Sequence, residues 1–268
     1  MMKLSVVGKN GSVSAQGEKR VHLVYLPAYR PGDTILLEVD APGLYKVRLE
    51  DTLPPAVVYL SETQAHFPIP FGNERGGYSP RAFIGKRHFI EAEKADDAMS
   101  QIRRNLAFNP FDGTKNRGMY PHMTHNVKYE DSLRNKLLPN KGLFAPRCVI
   151  DGFLANESHR LYPHQSWGIN RNPNAWLTCE FGRAVDIDCV RLAIRGEFPH
   201  DNYWVQATLR CSDASEETIH LQKTLDIQSF PLTRHGITSL TLCELMMSGE
   251  PSPFPALSLL EIYGKDAN

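Results

Sequence analysis

Three tripeptides in this chain place a histidine after an aromatic–proline pair: Tyr120-Pro121-His122, Tyr162-Pro163-His164 and Phe198-Pro199-His200. Proline fixes its own φ and restricts the residue before it, so each histidine is presented from a stiff loop. Five of the ten histidines lie between residues 122 and 200, counting His125 and His159. Imidazole titrates near neutrality and is the usual general acid or base, so His164 or His200 can move a proton, with Asp201 in the same loop. In that reading Arg171 or Arg195 holds a substrate carboxylate or a developing oxyanion. A variant has His122, His164 and His200 sharing zinc or another transition metal with an open position, although no His-x-x-x-His spacing joins them. Either arrangement requires the three rings in one pocket.

The surroundings of the tripeptides suit a saccharide. Trp167, Asn170 and Arg171 follow His164, Tyr203 and Trp204 follow His200, and Arg195 and Glu197 precede it. An indole or phenol face covers the C–H face of a pyranose, while amides, carboxylates and guanidinium groups bond its hydroxyls. The candidate ligand-binding set is Tyr120, His122, Tyr162, Trp167, Asn170, Arg171, Arg195, Glu197 and Trp204. An arginine fork from Arg171 or Arg195 would suit a uronic acid. Trp167 and Trp204 stand beside loops and read equally as platform or core, whereas Trp176, inside Ala175-Trp176-Leu177-Thr178-Cys179-Glu180-Phe181, reads as core.

The elements that must position these residues are strands. Short apolar runs bounded by turn residues recur at 21–26, 34–39, 44–49, 56–60 and 86–91, and again at 176–181, 187–194, 203–211, 217–221, 237–242 and 258–263. Residues 93–106 differ: Met99, Ile102 and Leu106 recur at helical spacing and predict one short helix. The expectation is an all-β chain of two β-sandwich, jelly-roll-like domains: 1–104 with the short helix at its end, a loop-rich linker over 105–143 that contributes to the site, and 144–268. The loop Pro251-Ser252-Pro253-Phe254-Pro255 precedes the last strand and is placed to form one wall of the site.

From about 144 to 264 the order of motifs resembles the galactose-binding-like, discoidin-type sandwich, the class of coagulation-factor type C domains and many bacterial carbohydrate-binding modules. Val149-Ile150-Asp151-Gly152 with Asn156 and Ser166-Trp167-Gly168 is similar to its opening loop, and Trp176 to Gly182 to its second strand and turn. Trp204 to Leu209 with Ser212-Asp213, and the closing Leu260-Glu261-Ile262-Tyr263-Gly264, resemble later elements. The resemblance implies a jelly roll whose end loops bind sugars. It also implies a structural calcium at the Asp-Gly loop, for which Asp151 and Asn156 match, but the expected closing-strand glutamate falls at Leu259. Losing that hard oxygen ligand leaves no metal and no cofactor as the expectation.

Lys+Arg and Asp+Glu are both 30, so the formal net charge is zero over 268 residues. Without basic excess there is no counterion-release drive toward nucleic acid and no attraction to an anionic membrane. No apolar run is long enough to span a bilayer and no secretory signal opens the chain. The odd count of five cysteines, with no Cys-x-x-Cys pair, reads as buried free thiols in the cytoplasm. Three functions fit these features. The first is a carbohydrate-binding protein. The second is a cytoplasmic lyase, hydrolase or epimerase working through histidine. The third is an interaction protein, since sandwiches readily form homo-oligomers.

Overall fold

The computed structural model describes residues 1–113, 115–116, 118–128, 140–197 and 202–267. The first eight strands are β1 (Met2–Gly8), β2 (Gly11–Gly17), β3 (Arg20–Tyr25), β4 (Thr34–Glu38), β5 (Gly43–Arg48), β6 (Ala56–Leu60), β7 (Gln64–Pro68) and β8 (His88–Lys94). Burial alternates strictly along β4 and β6 and over His88–Ala92 of β8, as the two-residue repeat of side chains across a sheet requires. One sheet runs β2-β1-β4-β7. The other runs β6-β5-β8-β3 and gains a fifth strand, β10 (Met119–Tyr120), beside β6. Both sheets bury residues into one core, including Leu4, Ile35 and Leu37 from the first and Val47, Val58 and Ile90 from the second. This is a sandwich of two antiparallel layers.

The helix expected over 93–106 does not form. Strand β8 runs on to Lys94, a single 3-10 turn covers Asp97–Gln101, and β9 (Arg104–Asn105) pairs with the last strand. Ile102 is exposed while Leu106 is buried, so the helical face has no partner. One helical turn fixes several torsions for few hydrogen bonds, and pairing with a sheet edge outweighs it.

The segment 105–143 also carries β11 (His122–His125), which pairs with β13. Its side chains divide between two cores: Phe111 and Met119 join the first, whereas Leu106, Ala107, Met123 and Val127 join the second. A short helical turn, Asn140–Leu143, and a 3-10 turn, Pro146–Val149, lead onward.

A third sheet, to which β9 and β11 also pair, comprises β12 (Trp167–Gly168), β13 (Leu177–Ile194), β14 (Trp204–Cys211), β15 (Glu216–His220), β16 (Gln228–Met247) and β17 (Ala256–Asp266). Their order is β12-β17-β13-β16-β14-β15. The separate runs at 176–181 and 187–194 are one strand of 18 residues, and the run at 237–242 is part of a strand of 20. Register shifts interrupt the β13–β16 pairing between Glu180 and Cys189. Before the shifts β13 pairs with β11 and β16, and after them with β17 and β16. Exchanging partners along a bulged strand lets a sheet turn a corner and close over its own core. That core includes Phe181, Val190, Leu209, Leu240 and Ile262. No helix among the described residues is long and apolar enough to cross a membrane. All five cysteines carry free thiols, four of them buried and Cys189 half-buried.

Candidate functional site

The loop end of the second sandwich is built around Asn156. Its side-chain amide donates to Ile194 O at 2.8 Å and Leu225 O at 2.9 Å, and its own carbonyl accepts from Gly196 N at 3.0 Å. One buried residue thus ties the 153–164 loop to the end of β13 and to the 222–226 turn. Arg195 N bonds Ala256 O at 2.9 Å, which sets the 195–197 loop against the start of β17.

Arg195 itself is 5% exposed and donates from Nη2 to Phe254 O at 3.0 Å. It therefore holds the 251–255 loop from beneath. The Phe254 ring is 42% exposed, and the guanidinium of Arg171 stands 4.8 Å from its centroid. Arg171 and Asn170 both have positive φ, +63° and +46°, and Asn170 Nδ2 donates to Lys128 O at 2.8 Å. That anchor turns Arg171 onto the ring.

Next along the chain, Glu197 is hydrogen-bonded to Nδ1 of His159, both half-buried. His164 Nδ1 meets Ala155 O at 3.0 Å and lies 3.6 Å from Glu157. Tyr162 is half-buried and packs edge-on against Phe153 at 5.1 Å. The loop end therefore gathers His164, Arg171, Arg195 and Glu197 of the expected set, and adds Phe254 and His159. The aromatic in the Pro-rich 251–255 loop was the available sequence signal for Phe254. For His159 only the histidine density pointed there.

Other expected site residues lie elsewhere. Trp167 and Trp204 are 0% and 1% exposed, with ring centroids 6.2 Å apart inside the core. Trp167 is placed by β12 pairing with β17, opposite Leu257, and Trp204 opens β14 opposite Met247. They are core residues and offer no face to a ligand. Trp176, expected in the core, is half-buried. Leu177, Cys179 and Phe181 take the inward positions of its strand, which turns Trp176 to the other face.

Tyr120 and His122 serve the junction between the sandwiches. Tyr120 pairs with Tyr59, and its ring lies over Gly182, whose φ of +69° and missing Cβ allow the approach. His122 Nδ1 meets Asp112 Oδ1 at 2.7 Å, and Asp112 Oδ2 accepts from Met123 N at 3.0 Å. Asp112 is 2% exposed. The hydrogen bond to Asp112 raises the His122 pKa, against the opposing effect of burial. His122 sits opposite Glu180 near the start of β13, whereas His164 sits past the other end of that strand. The single pocket expected for the tripeptide histidines is therefore not assembled from these two, and with it goes the shared-metal arrangement. His200 and Asp201 lie outside the described residues.

Asp151 and Asn156, the calcium candidates, are both committed to the protein. Asp151 is 1% exposed and accepts from Phe153 N and Gln165 Nε2, each at 3.0 Å. Burial pushes its carboxyl up to about 6, with Arg147 pulling the other way from 3.6 Å. Among the described residues no three His, Cys, Asp or Glu side chains are grouped to hold a metal ion.

No protein-family model matches this chain, and no curated protein matches it. Among solved structures it is similar to chitosan-binding module 1 of a chitosanase/glucanase from Paenibacillus sp. IK-5, at 16% identity over 60% of this chain and 99% of that one, TM-score 0.39. It is similar to the lectin domain of lectinolysin complexed with Lewis B antigen, at 14% identity over 60% and 97%, TM-score 0.40. It is also similar to the family 32 module of C. perfringens NanJ in complex with galactose, at 12% identity over 53% and 93%, TM-score 0.35.

Proposed function

We propose that the protein binds a carbohydrate on the loop end of its second sandwich, with Phe254 as the ring platform. The observation that carries this reading is the exposed Phe254 side chain, on a loop whose Phe254 carbonyl is held by buried Arg195, with the guanidinium of Arg171 stacked over one face of its ring. The face opposite Arg171 suits the C–H face of a pyranose, and the edge of the Arg171 guanidinium supplies donors for its hydroxyls. Glu197 and His159 add an acceptor and a second ring on the adjoining loop. The motif order over 144–264 supports the same assignment. Five free thiols support a reducing, cytoplasmic place of work. A formal charge of zero supports a ligand other than a nucleic acid.

The test is a thermal-shift and calorimetric screen of mono- and disaccharides, including uronic acids. A bound sugar raises the melting temperature by mass action. The expected result is a ligand whose affinity falls about tenfold or more in Phe254→Ala, while the ligand-free melting temperature stays put. A panel without any shift, or binding that Phe254→Ala leaves intact, removes the site. Product analysis in the same samples detects turnover if the histidines act as catalysts.

A further inference from the structure

The sheets of this molecule end in strands whose outer backbone has no further strand beside it, and most of these edges are protected. The third sheet ends at β15, which carries Glu216, Glu217 and His220, and at the two-residue β12. The second ends at β3, which carries Arg20 and His22, and at the two-residue β10. The first ends at β7, which holds His66 and stops at Pro68, and at β2. Charge, proline, bulges and shortness are the devices that keep a sheet edge from pairing with another chain.

β2 has none of them. Its seven residues, Gly11-Ser12-Val13-Ser14-Ala15-Gln16-Gly17, carry no charge and no proline. They pair with β1 in one unbroken register, from Met2 with Gly17 to Gly8 with Gly11, so no bulge twists the edge away. We propose that β2 is a dimerisation edge, at which two copies of this chain pair antiparallel and join their four-stranded sheets into one continuous sheet. The edge shares no residue with the loop-end platform of the other sandwich.

The pattern of the strand fits pairing with itself. A two-fold axis at Ser14, the middle residue, sets Ser12 of each copy opposite Gln16 of the other, and Val13 opposite Ala15. Ser12, Ser14 and Gln16 are exposed and can hydrogen-bond across the joint. Val13 and Ala15 stand beside Val6 and Leu4 of β1, on the core face. Val6 and Leu4 are 2% and 0% exposed, yet Val13 is 44% exposed, because no strand lies beyond it. Ala15 of a second copy covers that apolar surface.

A second copy is the occupant for reasons of charge and geometry. Each copy brings an identical open edge. The formal net charge is zero and the paired stretch is uncharged, so two copies do not repel each other. Beyond the strand ends, Lys9 and Asn10 of one copy meet Glu18 and Lys19 of the other, which brings both signs together. Pairing about a two-fold axis uses both edges up and limits the assembly to two. Seven residues at roughly 3.3 Å each make a short joint, so the dimer is weak and depends on concentration.

Sedimentation velocity on the full chain tests the inference, from about 1 to 200 µM, around a dissociation constant on the order of 10 µM. The expected result is a monomer that converts to a dimer as concentration rises. Ser14 is exposed, so Ser14→Lys and Ser14→Glu should each keep the melting temperature of the wild type. Each variant places like charges directly opposite at the axis and should weaken the dimer about tenfold or more. An equal mixture of the two should restore it, because Lys then faces Glu. A wild type that stays monomeric throughout overturns the inference. A dimer that both variants leave intact also overturns it, and assigns self-association to another face. So does a loss that the mixture fails to reverse.

Discussion

Tyr120-Pro121-His122 and Tyr162-Pro163-His164 are alike in sequence, and both contain a cis Tyr–Pro bond, yet the fold uses them differently. The first is held at every residue. Tyr120 is paired in β10 and covers Gly182, Pro121 O accepts from Asn109 Nδ2 at 2.9 Å, and His122 is bonded to buried Asp112. The second is a local turn. His164 N returns to Leu161 O at 2.9 Å, its ring meets the nearby Ala155 O, and Leu161 is 60% exposed. The same three residue types become a joint between sandwiches where strands flank them, and part of an open loop where they do not. A motif of this kind presents a histidine; the partners available to its ring decide whether it braces or meets solvent.

The sharpest way to break this contrast is Asp112→Ala. It leaves Met123 N–H and the His122 ring without their buried acceptor, and unsatisfied buried groups cost about 1–3 kcal/mol each. Chemical denaturation should show a loss of about 2–4 kcal/mol, and a loss under about 0.5 kcal/mol would mean the first tripeptide is not a brace.

The next effect is a pH dependence carried by His122. Its folded pKa is raised above the ordinary 6.5, so the folded state holds the proton more tightly than the unfolded chain does. The stability it contributes is complete below pH 6.5 and is lost as pH rises through the raised folded value. Denaturation of wild type and His122→Gln across pH 5.5 to 9 should therefore show a gap that narrows with rising pH (range chosen to bracket about 6.5). A gap that is constant or widens contradicts the Asp112–His122 pairing.

The smallest effect belongs to the second tripeptide. His164→Ala should change stability by no more than about 0.5 kcal/mol, the usual range for surface positions. A loss comparable to that of Asp112→Ala would erase the distinction between the two tripeptides.

The tryptophans show how much of the site could be read in advance. Trp167 and Trp204 stand next to polar loop residues in sequence, which left them readable equally as platform or core, and Trp176 stands among apolar residues, which made it look like core. Burial assigns the first two to the core and leaves Trp176 half-buried. Within the strand Leu177–Phe181 the alternation was legible and already assigns Trp176 to the outer face. For Trp167 the deciding contact is Leu257, which no pattern near residue 167 reveals. Phe254 was legible only as part of a Pro-rich loop; its role depends on Arg195, 59 residues away, reaching its carbonyl.

By itself the sequence determined the all-β class, the places of short strands such as β4, β6 and β8, and the unpaired state of the thiols. These follow from local rules, the two-residue period of a strand and the absence of paired cysteine motifs. Only the tertiary structure decided that two apolar runs join into β13, that 93–106 forgoes a helix for a place beside β17, and that His122 and His164 part company. Each of these depends on hydrogen-bond or ion-pair partners far away in the chain, and a residue's own neighbours in sequence do not specify which distant groups will complete its bonds.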